Sequence, residues 1–105
     1  MLVNMKDLLL DAQERNYAVG SFSVANMEMV LGVIKEQKAF RPLMVAAAEE
    51  ADVPVAVHLD HGKTPCCIEQ ALDIGFTSVM FDGSHLPVEE NIEITKGIVE
   101  IAKEY

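Results

Sequence analysis

The 105-residue sequence predicts an α/β fold with parallel strands. Stretches with apolar residues at helical spacing alternate with short runs rich in β-branched residues. The run from Val53 to Asp60 sets Val53, Val55, Val57 and Leu59 against Pro54, Ala56, His58 and Asp60, the period-two pattern of a strand. The two clearest strands each lead through a glycine, Gly62 or Gly83, towards a helix with proline in its opening turn.

Asn4 is placed to cap a first helix, in which Leu8, Leu9 and Ala12 recur at helical spacing and which ends near Asn16. Ala18 to Val24 reads as a short strand. Asn26 then caps a helix whose residues Met27, Val30, Leu31 and Ile34 fall at i, i+3, i+4 and i+7. No strand is expected between Ile34 and Pro42, where an alternating α/β chain would carry one. Pro42 to Ala51 forms a further helix, and Val53 to Asp60 a strand that His61 and Gly62 leave at its carboxyl end. A helix over about Pro65 to Ile74 is closed by Gly75, which can take the left-handed conformation. Thr77 to Phe81 is the next strand. Pro87 opens the last helix, with Glu89 and Glu90 where negative charge suits the dipole and Val88, Ile92, Thr95, Val99 and Ala102 as the expected buried stripe.

Half of the residues are hydrophobic and 24% are charged, the composition of one folded domain over residues 1–105. Eight Lys and Arg against seventeen Asp and Glu give a net charge of −9, which argues against nucleic acid or an anionic membrane surface as partner. No run approaches the roughly 18 apolar residues of a membrane span. Cys66 and Cys67 are adjacent and cannot staple distant segments, which fits a reducing, cytoplasmic setting, and the first ten residues lack a basic leader and a small-residue cleavage site. The glycines stand singly, so no phosphate loop or dinucleotide fingerprint is present.

Titratable residues concentrate at His58, Asp60 and His61, at the carboxyl end of a parallel strand, where open α/β and barrel enzymes place their chemistry. His58 and Asp60 share a face; His61 would point away by strict alternation, but the turn at Gly62 can swing its imidazole over the strand end. Each residue also has a structural reading. Asp60 can cap the following turn, and His61 can be a hydrogen-bonded strand-end histidine. His58 is read as a structural residue of the inner face and His85 as a loop residue. Asp82 either faces the site, as support for a ligand or as a secondary metal group, or forms a turn with Gly83. Lys63 is a Schiff-base candidate only if desolvated, and its neighbours suggest solvent. Cys66 and Cys67 are either reactive at a helix start or small packing residues.

The segment Val53-Pro-Val-Ala-Val-His-Leu-Asp-His-Gly62 resembles the signature of the zinc-dependent class II ketose-bisphosphate aldolases. Gly75-Phe-Thr-Ser-Val-Met-Phe-Asp-Gly-Ser-His-Leu-Pro-Val-Glu-Glu-Asn-Ile92 resembles the next βα unit of that family, and Met1 to Ile34 its first helix and strand. The resemblance implies the N-terminal part of a TIM barrel lacking one internal strand, and an activity of reversible aldol cleavage of a ketose bisphosphate to dihydroxyacetone phosphate and an aldehyde. It implies that Asp60 is the catalytic acid/base and that His61 is one of three zinc-binding histidines. Zinc would polarise the substrate carbonyl while the neighbouring carboxylate moves the proton.

A barrel of this type needs roughly 250 residues, and the family's other two zinc-binding histidines and its phosphate-binding loops lie in later βα units. Ser23 stands where many relatives carry a substrate-contacting asparagine, and the stretch around Glu36 to Phe40 replaces a strand with a substrate-contacting serine. The expected protein is therefore a single truncated barrel segment over residues 1–105, weak or inactive alone, with a sugar phosphate as its small-molecule partner. The alternatives are a non-catalytic, self-associating homo-oligomer and a piece of a longer active aldolase.

Overall fold

The computed structural model describes residues 1–21, 23, 44–46 and 48–105. They fall in two compact units, residues 1–57 and residues 58–105.

In the first unit, α1 spans Met5–Arg15. The Asn4 side chain accepts from the Lys6 N–H at 2.8 Å, and Asn16, at φ 55°, ends the helix with its N–H on the Ala12 carbonyl, as the sequence leads one to expect. Ala12 is buried while Leu9 is exposed. Residues 44–46 and 48–50 are helical, in keeping with the helix expected from Pro42. Of the strand expected over Ala18 to Val24, the described residues Ala18 to Ser21 and Ser23 carry no strand and are exposed. Alternating apolar residues make a strand only where a neighbour accepts their backbone bonds. The helix from Asn26, and the absence of a strand between Ile34 and Pro42, lie outside the described residues.

The strand expected from Val53 begins later. Val53 is exposed, and Val55 forms an isolated parallel bridge with Leu2, in which Val3 N–H donates to Val55 O at 2.9 Å and Val55 N–H to Met1 O at 3.0 Å.

The second unit is a βαβα sequence: β1 (His58–Gly62), α2 (Pro65–Asp73), β2 (Ser78–Phe81) and α3 (Val88–Ala102). The two strands pair in parallel, His58 opposite Ser78, Leu59 opposite Val79 and Gly62 opposite Phe81. A parallel pair needs a crossover, which α2 supplies. Thr64 caps α2 by accepting the Cys67 N–H at 3.2 Å, Pro65 opens it, and Gly75 turns the chain at φ 97°.

Ile68 of α2 is fully buried and forms the core with Leu72 and Ile98, against which Leu59, Val79, Phe81, Ile94 and Ile101 pack. Burying a side chain of this kind contributes about 1.5–3 kcal/mol. Leu59 and Val79 thus face the helices, and the alternate residues His58, Asp60, Ser78 and Met80 belong to the opposite face of the pair. The buried stripe expected on the last helix is corrected here. Ile94, Ile98 and Ile101 turn to the core with Ala102, whereas Val88, Ile92 and Val99 are exposed and border a shallow groove with Thr95. No helix among the described residues is long and apolar enough to cross a membrane.

Gly62 is buried, and a Cβ there would lie 2.9 Å from the Met80 carbonyl oxygen and 3.0 Å from Ile68 Cγ1. Gly62→Ala is expected to destabilise the second unit by about 1–3 kcal/mol, because a backbone oxygen cannot step aside cheaply. Gly97→Ala, on an open face of α3, is expected to stabilise by up to about 1 kcal/mol. Urea unfolding followed by circular dichroism separates the two; equal and small effects would show that the approach at Gly62 is not tight.

Candidate active site at the carboxyl end of the strand pair

From Leu59 to Gly62 the chain advances three residues while its partner advances two, from Val79 to Phe81. The surplus residue is a β-bulge, and His61 takes it up at φ 52°, in the left-handed region. Strict alternation would send Asp60 and His61 to opposite faces. The bulge breaks it, so both side chains are about two-thirds exposed and His61 Nε2 lies 3.8 Å from Asp60 Oδ1. The swing expected at Gly62 therefore occurs one residue earlier, and Gly62 itself remains in the strand.

The other ring nitrogen, Nδ1, lies 2.9 Å from Asp82 Oδ2. An ionised carboxylate only accepts, so Nδ1 carries the proton and Nε2 is left without one in the neutral ring. Asp82 follows directly on β2, and its N–H donates to Gly62 O at 2.8 Å. Its side chain is only 7% exposed. Oδ1 accepts from Ser84 N at 3.1 Å and Ser84 Oγ at 2.6 Å, while Oδ2 accepts from His61 and from the Lys63 ammonium. Lys63, Ser84 and His61, in that order of effect, hold the Asp82 carboxyl far below the usual carboxylate range. Both readings weighed for Asp82 meet in it: the Ser84 bonds make the turn, and the His61 bond supports the site.

His58 is exposed, with Nδ1 2.8 Å from Ser78 Oγ across the strand pair. His85 is an exposed turn residue after Gly83. Cys66 and Cys67 are free thiols in the first turn of α2, and Ser23 is exposed. Lys63 reaches solvent, as expected, and is ion-paired to Asp82. Local sequence carried no signal for this, since the common partner of His61 and Lys63 lies about twenty residues further along the chain.

The residues fit a zinc ion in part. The His61 imidazole is held as a metal-bound histidine is, one nitrogen on a carboxylate and the other open. A catalytic zinc takes three protein ligands, and among the described residues no group of three or more His, Cys, Asp or Glu side chains is placed to hold a metal ion.

A strand-end acid and imidazole on a parallel βα frame sit where α/β barrel enzymes place their chemistry, and comparison with known proteins gives the class. The family model of class II fructose-bisphosphate aldolase matches residues 34–105. The chain is 38% identical over 125 positions to a fructose-bisphosphate aldolase of Staphylococcus epidermidis, covering 96% of this chain and 44% of that protein. It is 36% identical to a 6-phospho-5-dehydro-2-deoxy-D-gluconate aldolase of Bacillus licheniformis, covering 95% and 42%. Among solved structures, the crystal structure of the YdjI aldolase from Escherichia coli K12 superposes with a TM-score of 0.79 at 33% identity, over 95% of this chain and 46% of that one.

The chain belongs to the class II fructose-bisphosphate aldolase family. It spans less than half the length of the relatives it matches, so the α/β fold of a partial TIM barrel is established by these likenesses. The 125 matched positions exceed the 105 residues of the chain, so the relatives carry residues within that stretch that this chain lacks.

Because the folded-state pKa of Asp82 is depressed, its contribution to stability is full above the ordinary carboxylate range and is lost progressively as pH falls below it. Lys63→Gln removes the largest cause of that depression. The variant is expected to be less stable than the wild type at neutral pH, the two converging in acid. Unfolding curves that stay parallel at all pH values would show that Lys63 does not hold this carboxylate.

Proposed function

We propose that residues 1–105 form one barrel segment that supplies the acid/base and one zinc ligand of a ketose-bisphosphate aldolase. The reaction is reversible aldol cleavage to dihydroxyacetone phosphate and an aldehyde, within carbohydrate metabolism. The observation that carries this reading is the pairing of Asp60 with an outward Nε2 of His61 at 3.8 Å, on a bulge at the carboxyl end of a parallel strand. Asp60 is the group that takes a proton from the substrate hydroxyl as the carbon–carbon bond breaks and returns it in the reverse direction. Its exposure suits a group that must meet a substrate, and its place beside the imidazole sets the proton-transfer atom next to the ligand atom. His61, held by Asp82, would be the zinc ligand. When bound, Zn²⁺ supplies Lewis-acid polarisation of the substrate carbonyl. The free cysteines and acidic charge support a cytoplasmic setting.

Alone, the chain is expected to turn over no ketose bisphosphate, because the metal takes three protein ligands and no three described His, Cys, Asp or Glu side chains are grouped to hold it. Tight stoichiometric zinc binding with turnover by the 105-residue chain would contradict this. Joined to the remaining barrel units of the Staphylococcus relative, the chain is expected to contribute to cleavage. There, Asp60→Asn is expected to lower kcat by about 10²–10⁴-fold. Unchanged turnover in Asp60→Asn would remove Asp60 from the reaction.

A second reading is favoured by the exposed Val88, Ile92 and Val99 on α3 and by a strand pair that no third strand joins among the described residues. Such surfaces support self-association of the chain as a non-catalytic homo-oligomer. Sedimentation velocity is expected to show dimers or larger species, and a monomer at high concentration would set this reading aside.

A further inference from the structure

We propose that the α-nitrogen of Met1 is a modification-sensitive site: as a free ammonium it caps the helix that ends at Glu50, and a formyl or acetyl group on it opens that corner of the first unit. The inference does not rest on the aldolase reading.

The Met1 ammonium donates to three backbone carbonyls, that of Ala48 at 2.6 Å, that of Ala51, and that of Val53 at 3.4 Å. Residues 48–50 are helical, so Ala48 lies in a last turn, where carbonyls have no partner within the helix. Ala51 and Val53 belong to the chain as it leaves that helix. One positive charge thus meets the negative end of the helix dipole and two further carbonyl oxygens, the favourable sign for that end. An ammonium has three N–H donors, one for each of these oxygens.

The same residue is held through its other end. The Met1 carbonyl accepts from the Val55 N–H at 3.0 Å, and the Val3 N–H donates to the Val55 carbonyl at 2.9 Å, so that Leu2 and Val55 form their parallel bridge. Met1 therefore grips residues 48–55 by nitrogen and carbonyl together. Ala48 is buried and its bond to the ammonium partly so, which makes water a poor substitute there.

Acylation removes what this corner uses. An amide carries no charge and one N–H in place of three, which leaves two of the three carbonyls unpaired. Its acyl carbon stands about 1.3 Å from the nitrogen. With the Ala48 oxygen 2.6 Å from that nitrogen, the added group must displace the helix end or be displaced by it. A peptide bond to a preceding residue has the same consequences, so an extension at this end acts as an acetyl group does.

The test compares backbone amide exchange, read by ¹H–¹⁵N correlation, in the 105-residue chain with a free α-amine and in the same chain with an α-acetyl group installed by semisynthesis. The Val3 and Val55 amides are expected to exchange about tenfold or more faster in the acetylated chain, the equivalent of one hydrogen bond to a charged group. The Phe76 and Asp82 amides, bonded within the second unit, are expected to stay within about twofold. Equal Val3 and Val55 exchange in the two chains overturns the proposal, as does a Phe76 and Asp82 response as large as theirs.

A second measurement needs no modified chain to fold. The α-amine of the free chain is expected to react with trace acetic anhydride about tenfold or more slowly than that of a peptide of residues 1–4, because the bonded nitrogen must first leave its carbonyls. Equal rates overturn the proposal. Neither measurement involves Asp60 or His61, so failure here and failure of the aldolase reading are separate results.

Discussion

The arrangement at the carboxyl end of the strand pair depends on one backbone contact, the hydrogen bond from the Asp82 N–H to the Gly62 carbonyl. It ties the chain leaving β2 to the last residue of β1, and it can form only because Gly62 has no side chain to meet the Met80 carbonyl and Ile68. Once that clip is made, the residues on either side of the glycine are within reach of one carboxylate. The bulge before it turns His61 to the side of Asp60. Core, bulge and charge cluster are thus consecutive consequences of a glycine packed against an isoleucine of α2 and the backbone of β2.

This order explains how a βαβα unit carries so much of a site. Parallel strands present their carboxyl ends together, and the helix that follows each must start there, so the β1–α2 and β2–α3 loops converge on one edge. In this chain Asp60 and His61 come from the end of the first strand and Asp82 from the end of the second. The hydrophobic face made by Leu59, Val79 and Ile68 lies on the other side and fixes the strand pair against α2 and α3. The same alternation that sinks Leu59 brings out Asp60, so packing and chemistry are set by one register.

Much of this was legible in the residues. Asn4, Pro65, Gly75 and Pro87 marked helix ends by local chemistry, and those boundaries hold to within a residue or two. The run from His58 to Gly62 marked the candidate site, because it sets three titratable groups at the carboxyl end of a parallel strand, and the structure leaves all three exposed there. Features set by distant partners were not legible. The bulge depends on the register with β2, and the Lys63 ion pair on a carboxylate about twenty residues later. The last helix carries two apolar stripes, Val88, Ile92 and Val99 on one and Ile94, Ile98 and Ile101 on the other. Periodicity cannot choose between them; contact with Ile68 and Leu72 does. Ala18 to Ser21 show the converse, a strand-like run that is not a strand.

His61 occupies a backbone basin that L-residues with a Cβ enter at a cost of order 1–3 kcal/mol, and glycine would enter it at almost none. At this corner backbone and side chain thus ask for different residues: the thermodynamically cheapest side chain is none at all, while the imidazole gains its bond to the Asp82 carboxylate. The histidine is a standing debit against the stability of a small unit, made tolerable by the carboxylate that grips it.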